Sequence, residues 1–365
     1  MAQHAKSPKP PHHNAANHSR RTKLWTRLIL GVTGVLSIAV VVLVVEAFLV
    51  KTPTSNSSSP TTTGVSTGSG PNCPLTGAPA PSGAVPNRPA LAIKVDNYPA
   101  ARPQAALDKA DIVVEEPVEG GITRFVAIFQ CQGAVSVGPI RSARAIDAQI
   151  LDQFSDPIFV HAGGIAPVIS LIRQSNITDE NFPNVVTYPY GRVAPYDTYI
   201  STANGWGLAP KDTSPPNPLF SYDPTVPNGS AATDVHIPFS FASDETWQYQ
   251  SASGQYALSY SGVPATLSDG KQISASNVVV QQVVVTYGPW QENSQGALEV
   301  QAKLTGSGPL EVFRNGVEVQ GTWQRSSTSQ PTQLLGPGGT AIPLQPGNTW
   351  IDLVPSAIPV TTSNG

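Results

Sequence analysis

The sequence predicts an α/β (or α+β) N-terminal domain followed by a small, mostly antiparallel β domain, both behind a single N-terminal transmembrane helix. Three observations carry this expectation. Residues 28–50 form a nearly unbroken apolar run. Strand and helix patterns alternate between 88 and 212. From 236 onward helical spacing disappears while β-branched runs continue.

Residues 1–27 are polar, lack an apolar period and read as a disordered cytoplasmic tail. The run LILGVTGVLSIAVVVLVVEAFLV has 23 residues, enough to cross a hydrocarbon core of roughly 30 Å. Basic residues gather before it, so the N-terminus stays cytoplasmic and the bulk of the chain is extracytoplasmic. A cleaved signal peptide is the alternative. Its apolar region is usually about 7–15 residues and precedes a small-x-small site, and this run is longer and lacks such a site, which favours an uncleaved signal anchor. Residues 51–87, rich in Ser, Thr, Pro and Gly, read as a flexible linker.

The first folded unit spans 88–212. PALAIKVDN is a strand, and DIVVEEPVEGGITRFVAIFQ is two strands about a Gly120-Gly121 turn. The spacing predicts a helix over 139–154, a buried strand in PIFVHAGG and a short helix over 165–174. A Pro/Asn-rich connector covers 213–235. The second unit, 236–356, contains NVVVQQVVVTY, ALEVQAKL, PLEVFRNGVEVQGTWQ and NTWIDLVP, with Asn315-Gly316 as a two-residue hairpin turn; 357–365 is a tail. Trp247, Trp290, Trp323 and Trp350 are expected in the core of this unit.

Only 12% of residues are charged, against about 25% in average soluble proteins. Seven of the 21 Lys/Arg and one of the 24 acids lie in residues 1–51, so the remainder carries −9. Such an acidic ectodomain argues against nucleic acid as a partner, because that binding draws on basic contacts with phosphate. The two cysteines, Cys73 and Cys131, show no metal-binding or CxxC spacing. In an exported chain they read as a disulfide; two unrelated thiols, one buried, is the alternative.

The stretch VGPIRSARAIDAQI places Arg141 and Arg144 at an expected helix start, where the exposed N–H groups and the macrodipole disfavour positive charge. Both arginines therefore call for an anion. With a two-residue turn, Glu119 pairs with Ile122 and Val118 with Thr123, which puts Glu115, Glu119 and Arg124 on one face and Glu116 on the other. Acids (Asp96, Asp111, Glu115, Glu116, Glu119) and arginines (Arg102, Arg124, Arg141, Arg144) thus gather in the first unit, among positions where an unpaired ion is costly. Either they form an internal ion-pair network, or the arginines line a cleft that holds a carboxylate or phosphate of a ligand. Ser142, His161 and Arg192 are the other candidate binding residues. Asp96, Glu115 and His161 are the candidates for acid/base work.

The chain has no G-x-S-x-G, H-E-x-x-H, P-loop or strand-linked G-x-G-x-x-G. No cofactor and no metal site is expected from spacing. Cys131 has no adjacent His, which argues against a thiol nucleophile.

RPALAIKVDNYPAARPQAALDKADIVVEEPVEGGITRFVAIFQ, VGPIRSAR, FVHAGG and PLQPGNTWIDLVP, in that order, resemble the YerB-like lipoprotein family. The resemblance covers about residues 86–356. It implies a bacterial extracytoplasmic protein of two domains of unknown function, at the outer face of the membrane, with a suggested link to wall synthesis. Two departures stand out. No cysteine lies in the apolar run where family lipoproteins carry a lipobox, so the anchor is the helix itself. Ala194-Pro195-Tyr196 stands where an Ala-Pro-His pattern is expected.

The leading expectation is a non-catalytic, membrane-anchored envelope protein. Its first unit would bind an anionic group of a cell-wall polymer or of an envelope protein, such as the wall-synthesis machinery, through an Arg/carboxylate cleft. The alternative is a cell-wall hydrolase or transferase using Asp96 or Glu115 with His161, clamped by Arg141 and Arg144.

Overall fold

The structure, a computed structural model, describes residues 70–210 and 213–364. The expected cytoplasmic tail, the transmembrane helix over 28–50 and the linker up to residue 69 lie outside these residues. Among the described residues no helix is long and apolar enough to cross a membrane.

The spacer expected up to residue 87 ends earlier. Leu75 and Thr76 are buried, and Cys73 forms a disulfide with Cys131 that ties this segment to the end of the third strand. Leu75 joins the apolar cluster that holds Ala90, Ala92 and Val126, and Cys73 and Ala80 gather with Cys131 in a smaller one, so both anchor this stretch.

The first half supplies β1 (Leu91–Asp96), β2 (Ile112–Val118), β3 (Ile122–Phe129), β4 (Ile158–His161) and β5 (Thr178–Asn181), with helices α1 (Ala145–Leu151), α2 (Ala166–Gln174) and α3 (Thr202–Trp206). The second half contributes β6 (Ser230–Ala231), β7 (Asp234–Ser240), β8 (Ser243–Gln250), β9 (Gln255–Tyr260), β10 (Val263–Pro264), β11 (Ser274–Ala275) and β12 (Asn277–Val283). It continues with β13 (Val285–Gln291), β14 (Leu298–Ala302), β15 (Gly306–Arg314), β16 (Val317–Arg325), β17 (Gln333–Leu335), β18 (Thr349–Pro355) and β19 (Thr361–Ser363). Strands dominate and helices are few and short.

The large sheet has the order β17-β16-β15-β12-β18-β2-β3-β1-β4-β5, with β6 on β16. A second sheet runs β10-β9-β8-β7-β19, with β11 on β9, and β13-β14 form a separate ribbon. β18 runs parallel to both β12 and β2, so the second half adds strands to the sheet of the first half as well as carrying a sheet of its own. One face of the large sheet packs with Ile146, Val168 and Ile172 of α1 and α2; the other packs with Val235, Trp247 and Leu258 of the second sheet. Burial on both faces explains the continuous apolar strands. Trp247, Trp323 and Trp350 fill the core, and Trp290 is half-buried.

Two local expectations are corrected. Glu119, Gly120 and Gly121 together make the β2–β3 turn, which pairs Val118 with Ile122, Glu116 with Arg124 and Glu115 with Phe125. A one-residue slip moves a whole strand to the other face. Arg124 therefore shares a face with Glu116, and Glu115 points to the opposite one.

The helix expected from Pro139 begins at Ala145. Residues 139–143 are extended because their backbone serves β1 and the Ala162-Gly163 segment that follows β4: Arg141 N–H donates to Lys94 O at 3.0 Å, Ala143 N–H to Gly163 O at 3.0 Å, and Ala162 N–H to Arg141 O at 2.9 Å. Gly138 enters this segment at φ +153°, where a Cβ would lie 2.8 Å from the Tyr199 ring and 2.9 Å from Thr198 O. Only glycine fits there.

Candidate anion-binding site

The register of β1, β2 and β3 sets Lys94, Asp96, Glu116 and Arg124 on the face that carries α1. Lys94 is fully buried, bonds the Glu116 carboxylate and donates to Asp147 Oδ1 at 2.7 Å. Burial, and then the Asp147 charge, push the Glu116 carboxyl up to about 7 despite Lys94. Asp147 Oδ2 also accepts the Arg144 N–H at 2.7 Å, so the third residue of α1 caps its own helix start.

Arg144 is the N-cap residue and is buried. Its guanidinium forks onto Glu119, with Nε 2.8 Å from Oε2, donates to Ala143 O at 2.8 Å and lies 3.2 Å from Glu292 Oε2. Burial opposes the Glu119 charge, but the Arg144 hydrogen bonds and the Arg144 and Arg124 charges outweigh it and bring the carboxyl down to about 2. Arg124 donates to Ser142 O at 3.0 Å and stands 3.7 Å from Glu119. Its burial, together with the Arg144 charge, lowers it to about 10. Glu115, on the opposite face, is no partner of Arg124.

Arg141 is different. Its side chain is 27% exposed, its Nε stands 2.8 Å from Asp96 Oδ2 without hydrogen-bond alignment, and its two terminal amino groups make no hydrogen bond among the described residues. Asp96, at the end of β1, is held from its other oxygen by Tyr98 N–H at 3.1 Å. The Tyr98 and Tyr196 rings stack at 6.5 Å, and the Arg141 guanidinium lies 5.7 Å from the Tyr196 centroid. A free guanidinium fork beside an accessible aromatic pair can take a carboxylate, phosphate or sulfate and stack a flat apolar group next to it.

The remaining candidates are otherwise engaged. Ser142 Oγ donates to Ala162 O at 3.0 Å. His161 is fully buried; Nδ1 faces Gly163 O at 2.8 Å and Nε2 faces Asp179 Oδ1 at 2.7 Å, while Arg173 holds the other Asp179 oxygen. Both ring nitrogens are occupied, and neither partner is Asp96 or Glu115. Arg102 donates to Asn97 Oδ1 at 3.0 Å and Ala242 O at 2.8 Å and lies over the Tyr260 ring. Arg192 donates to Ala101 O at 3.3 Å and to Pro103 O. It also lines an open cleft of about 600 Å³ with Tyr190 and Tyr199.

Sequence reasoning missed Lys94, Asp147, Glu292 and Glu299. Lys94 left a readable trace, being a charge inside an apolar strand flanked by Ile93 and Val95. The model for the N-terminal domain of a protein family of unknown function, DUF3048, matches residues 75–213, and its C-terminal domain matches residues 235–351. The chain belongs to the DUF3048 family. A fellow protein from Bacillus subtilis (strain 168), named "Putative lipoprotein YerB", is 29% identical over 311 residues, covering 80% of this chain and 88% of that protein. The crystal structure of the YerB protein from Bacillus subtilis is similar with a TM-score of 0.66 at 26% identity, over 80% of this chain and 99% of that one. In this DUF3048 protein, the extended GPIRSAR segment and the β1–β3 face thus form a network in which Arg144 is committed to internal carboxylates and Arg141 faces outward.

Proposed function

We propose that this DUF3048 protein is an extracytoplasmic cell-envelope protein, anchored through residues 28–50, that holds an anionic group of a wall polymer or an envelope protein at Arg141. One observation carries the reading: the Arg141 fork is unspent and partly exposed beside the Tyr98–Tyr196 pair, while its neighbour Arg144 is used internally. The lipoprotein name of the B. subtilis relative supports the location. Cys73 is in a disulfide and offers no thiol for acylation, which favours the apolar helix as anchor.

The test is co-sedimentation of the detergent-solubilised full chain with purified cell-wall sacculi, with and without their anionic polymers. Charge-assisted hydrogen bonds contribute about 1.5–3 kcal/mol, so Arg141→Ala should weaken binding by about 10- to 100-fold. Arg141→Lys keeps the charge facing Asp96 but loses the fork, and should recover only part of the affinity. Equal binding by all three proteins would refute the assignment.

A further inference from the structure

On the face away from α1, β2 and β18 run parallel with Glu115 and Asp352 in register. From the opposing sheet, β8 brings Glu245 to the same place. One carboxylate oxygen from each of the three lies within 4.8 Å of the others, and all three side chains are fully buried.

The donors around them are unevenly distributed. Glu115 accepts Asn97 Nδ2 at 3.2 Å and the Trp350 indole N–H at 3.3 Å. None of the four oxygens of Glu245 and Asp352 accepts a well-aligned hydrogen bond; Asp352 faces the Trp350 indole N–H, already given to Glu115, and Glu245 faces the Glu115 carboxylate. Every other buried carboxylate among the described residues has a cation or a donor: Asp96 has Arg141 and Tyr98 N–H, Asp111 two backbone N–H groups, Glu116 and Asp147 Lys94, Glu299 the Ala145 N–H, and Glu318 the Gln320 amide. A desolvated carboxylate without a donor is among the costliest groups a core can hold.

Charge counting points the same way. The cation whose field reaches Glu115 and Glu245 is Arg102, itself held by Asn97 and Ala242 O. Three carboxylates against one guanidinium leave two negative charges. Oxygens that share one ion at about 2.3–2.6 Å can be no more than about 5 Å apart, which the cluster satisfies. The donor set is all carboxylate, with no imidazole or thiolate, and suits a hard cation over Zn²⁺ or Cu²⁺.

We propose that Glu115, Glu245 and Asp352 bind one hard divalent cation of the Ca²⁺, Mg²⁺ or Mn²⁺ class, which fastens the second sheet to the large one. The ion supplies the charge that the four orphan oxygens lack and joins β8 to β2 and β18, a contact between segments more than a hundred residues apart. Without an ion, burial and the Glu115 charge push Glu245 and Asp352 well above the ordinary carboxylate range, so the rival occupant is protons shared among the three carboxyls.

Terbium luminescence separates the two, because Trp350 sits against Glu115 and Trp247 packs edge-on to Trp350 at 5.2 Å. The full chain, unfolded in denaturant with chelator and refolded with Tb³⁺, should show indole-sensitised emission that Ca²⁺, Mg²⁺ or Mn²⁺ competes away. The same cation should raise the melting temperature in a concentration-dependent way. Elemental analysis of chain refolded with the competing cation should give about one ion per chain. Glu245→Gln and Asp352→Asn keep the shape, remove the charge and bring their own donors. Both should fold, and both should lose the emission and the cation-dependent shift. If wild type shows no sensitised emission and no cation shift, while Glu245→Gln melts higher than wild type, the carboxyls hold protons and the proposal is overturned.

Discussion

Glu299, on β14, accepts the backbone N–H of Ala145, the first residue of α1, at 2.6 Å across 154 positions of sequence. A helix start exposes free N–H groups and favours negative charge, yet its N-cap residue here is Arg144, which has no acceptor to offer. A carboxyl oxygen from the second half takes the acceptor's role. Glu292 adds its contact to Arg144, and Gln149 donates to Ala302 O at 3.0 Å, so the β13–β14 ribbon is fixed on α1 by polar contacts.

Glu299 should make stability fall with rising pH. Burial, followed by its contact with Glu292, raises its carboxyl to about 9, against an ordinary value of 4.5. Between those two values the folded state keeps a proton that the unfolded chain releases, so stability is full below about 4.5 and declines as pH rises towards 9. Glu299→Gln retains the acceptor for Ala145 and cannot ionise. Melting temperatures from pH 5 to 9 should fall less steeply for the variant than for wild type, with the curves meeting near pH 5. Parallel curves would contradict the shift.

Lys94 should prove a keystone of the first-half core. It is the cation shared by Glu116 and Asp147, all three fully buried. Lys94→Met preserves most of the volume but leaves two carboxylates without it. Breaking a buried ion pair from one side costs about 3–5 kcal/mol, readable as a lower urea midpoint. The loss should be smaller at pH 6 than at pH 8, since Glu116, already raised to about 7, can take up a proton. A loss below about 1 kcal/mol would mean the pair is not desolvated.

Strand positions were legible because β-branched runs bounded by Gly, Pro and Asn state their own limits, and the Asn315-Gly316 turn behaved as expected, with both residues at positive φ. The β2–β3 register was not, because a Gly-Gly pair looks the same whether the turn has two residues or, with Glu119, three. That single position decided which acid met Arg124. Residues 139–143 carry helical spacing, but tertiary hydrogen bonds to β1 and to the residues just after β4 claim their backbone, a demand the local pattern does not express. The Glu115–Glu245–Asp352 convergence had no trace in spacing at all. It exists because β18 lands beside β2 and the second sheet closes over both.

The disulfide should stabilise the whole described region. Cys73 and Cys131 are 58 positions apart, and closing a loop of that length in the unfolded chain corresponds to about 4 kcal/mol in the chain-entropy treatment. Reduction with dithiothreitol, or the double variant Cys73→Ser/Cys131→Ser, should lower the melting temperature by similar amounts. Reduction should have no further effect on the double variant. Equal melting with and without reductant in wild type would show that the bond contributes nothing.

Arg141 and Arg144, three residues apart, should separate cleanly in their effects. Arg144 is enclosed and answers both Glu119 and Glu292, so Arg144→Ala takes the cation from Glu292, leaves Glu119 with Arg124 alone at 3.7 Å, and should cost about 3–5 kcal/mol of unfolding free energy at pH 7. Its consequence also has a pH signature. The Glu119 carboxyl is held at about 2, below its ordinary 4.5, so the stability it lends is present above about 4.5 and is lost as pH falls towards 2. The gap between wild type and Arg144→Ala should therefore narrow over that window. Arg141→Lys, which keeps a cation facing Asp96 and alters a partly exposed fork, should stay within about 0.5 kcal/mol of wild type at every pH, while its sacculus binding falls. If Arg141→Lys destabilises as strongly as Arg144→Ala, both arginines belong to the internal network, and Arg141 has no fork left for a ligand.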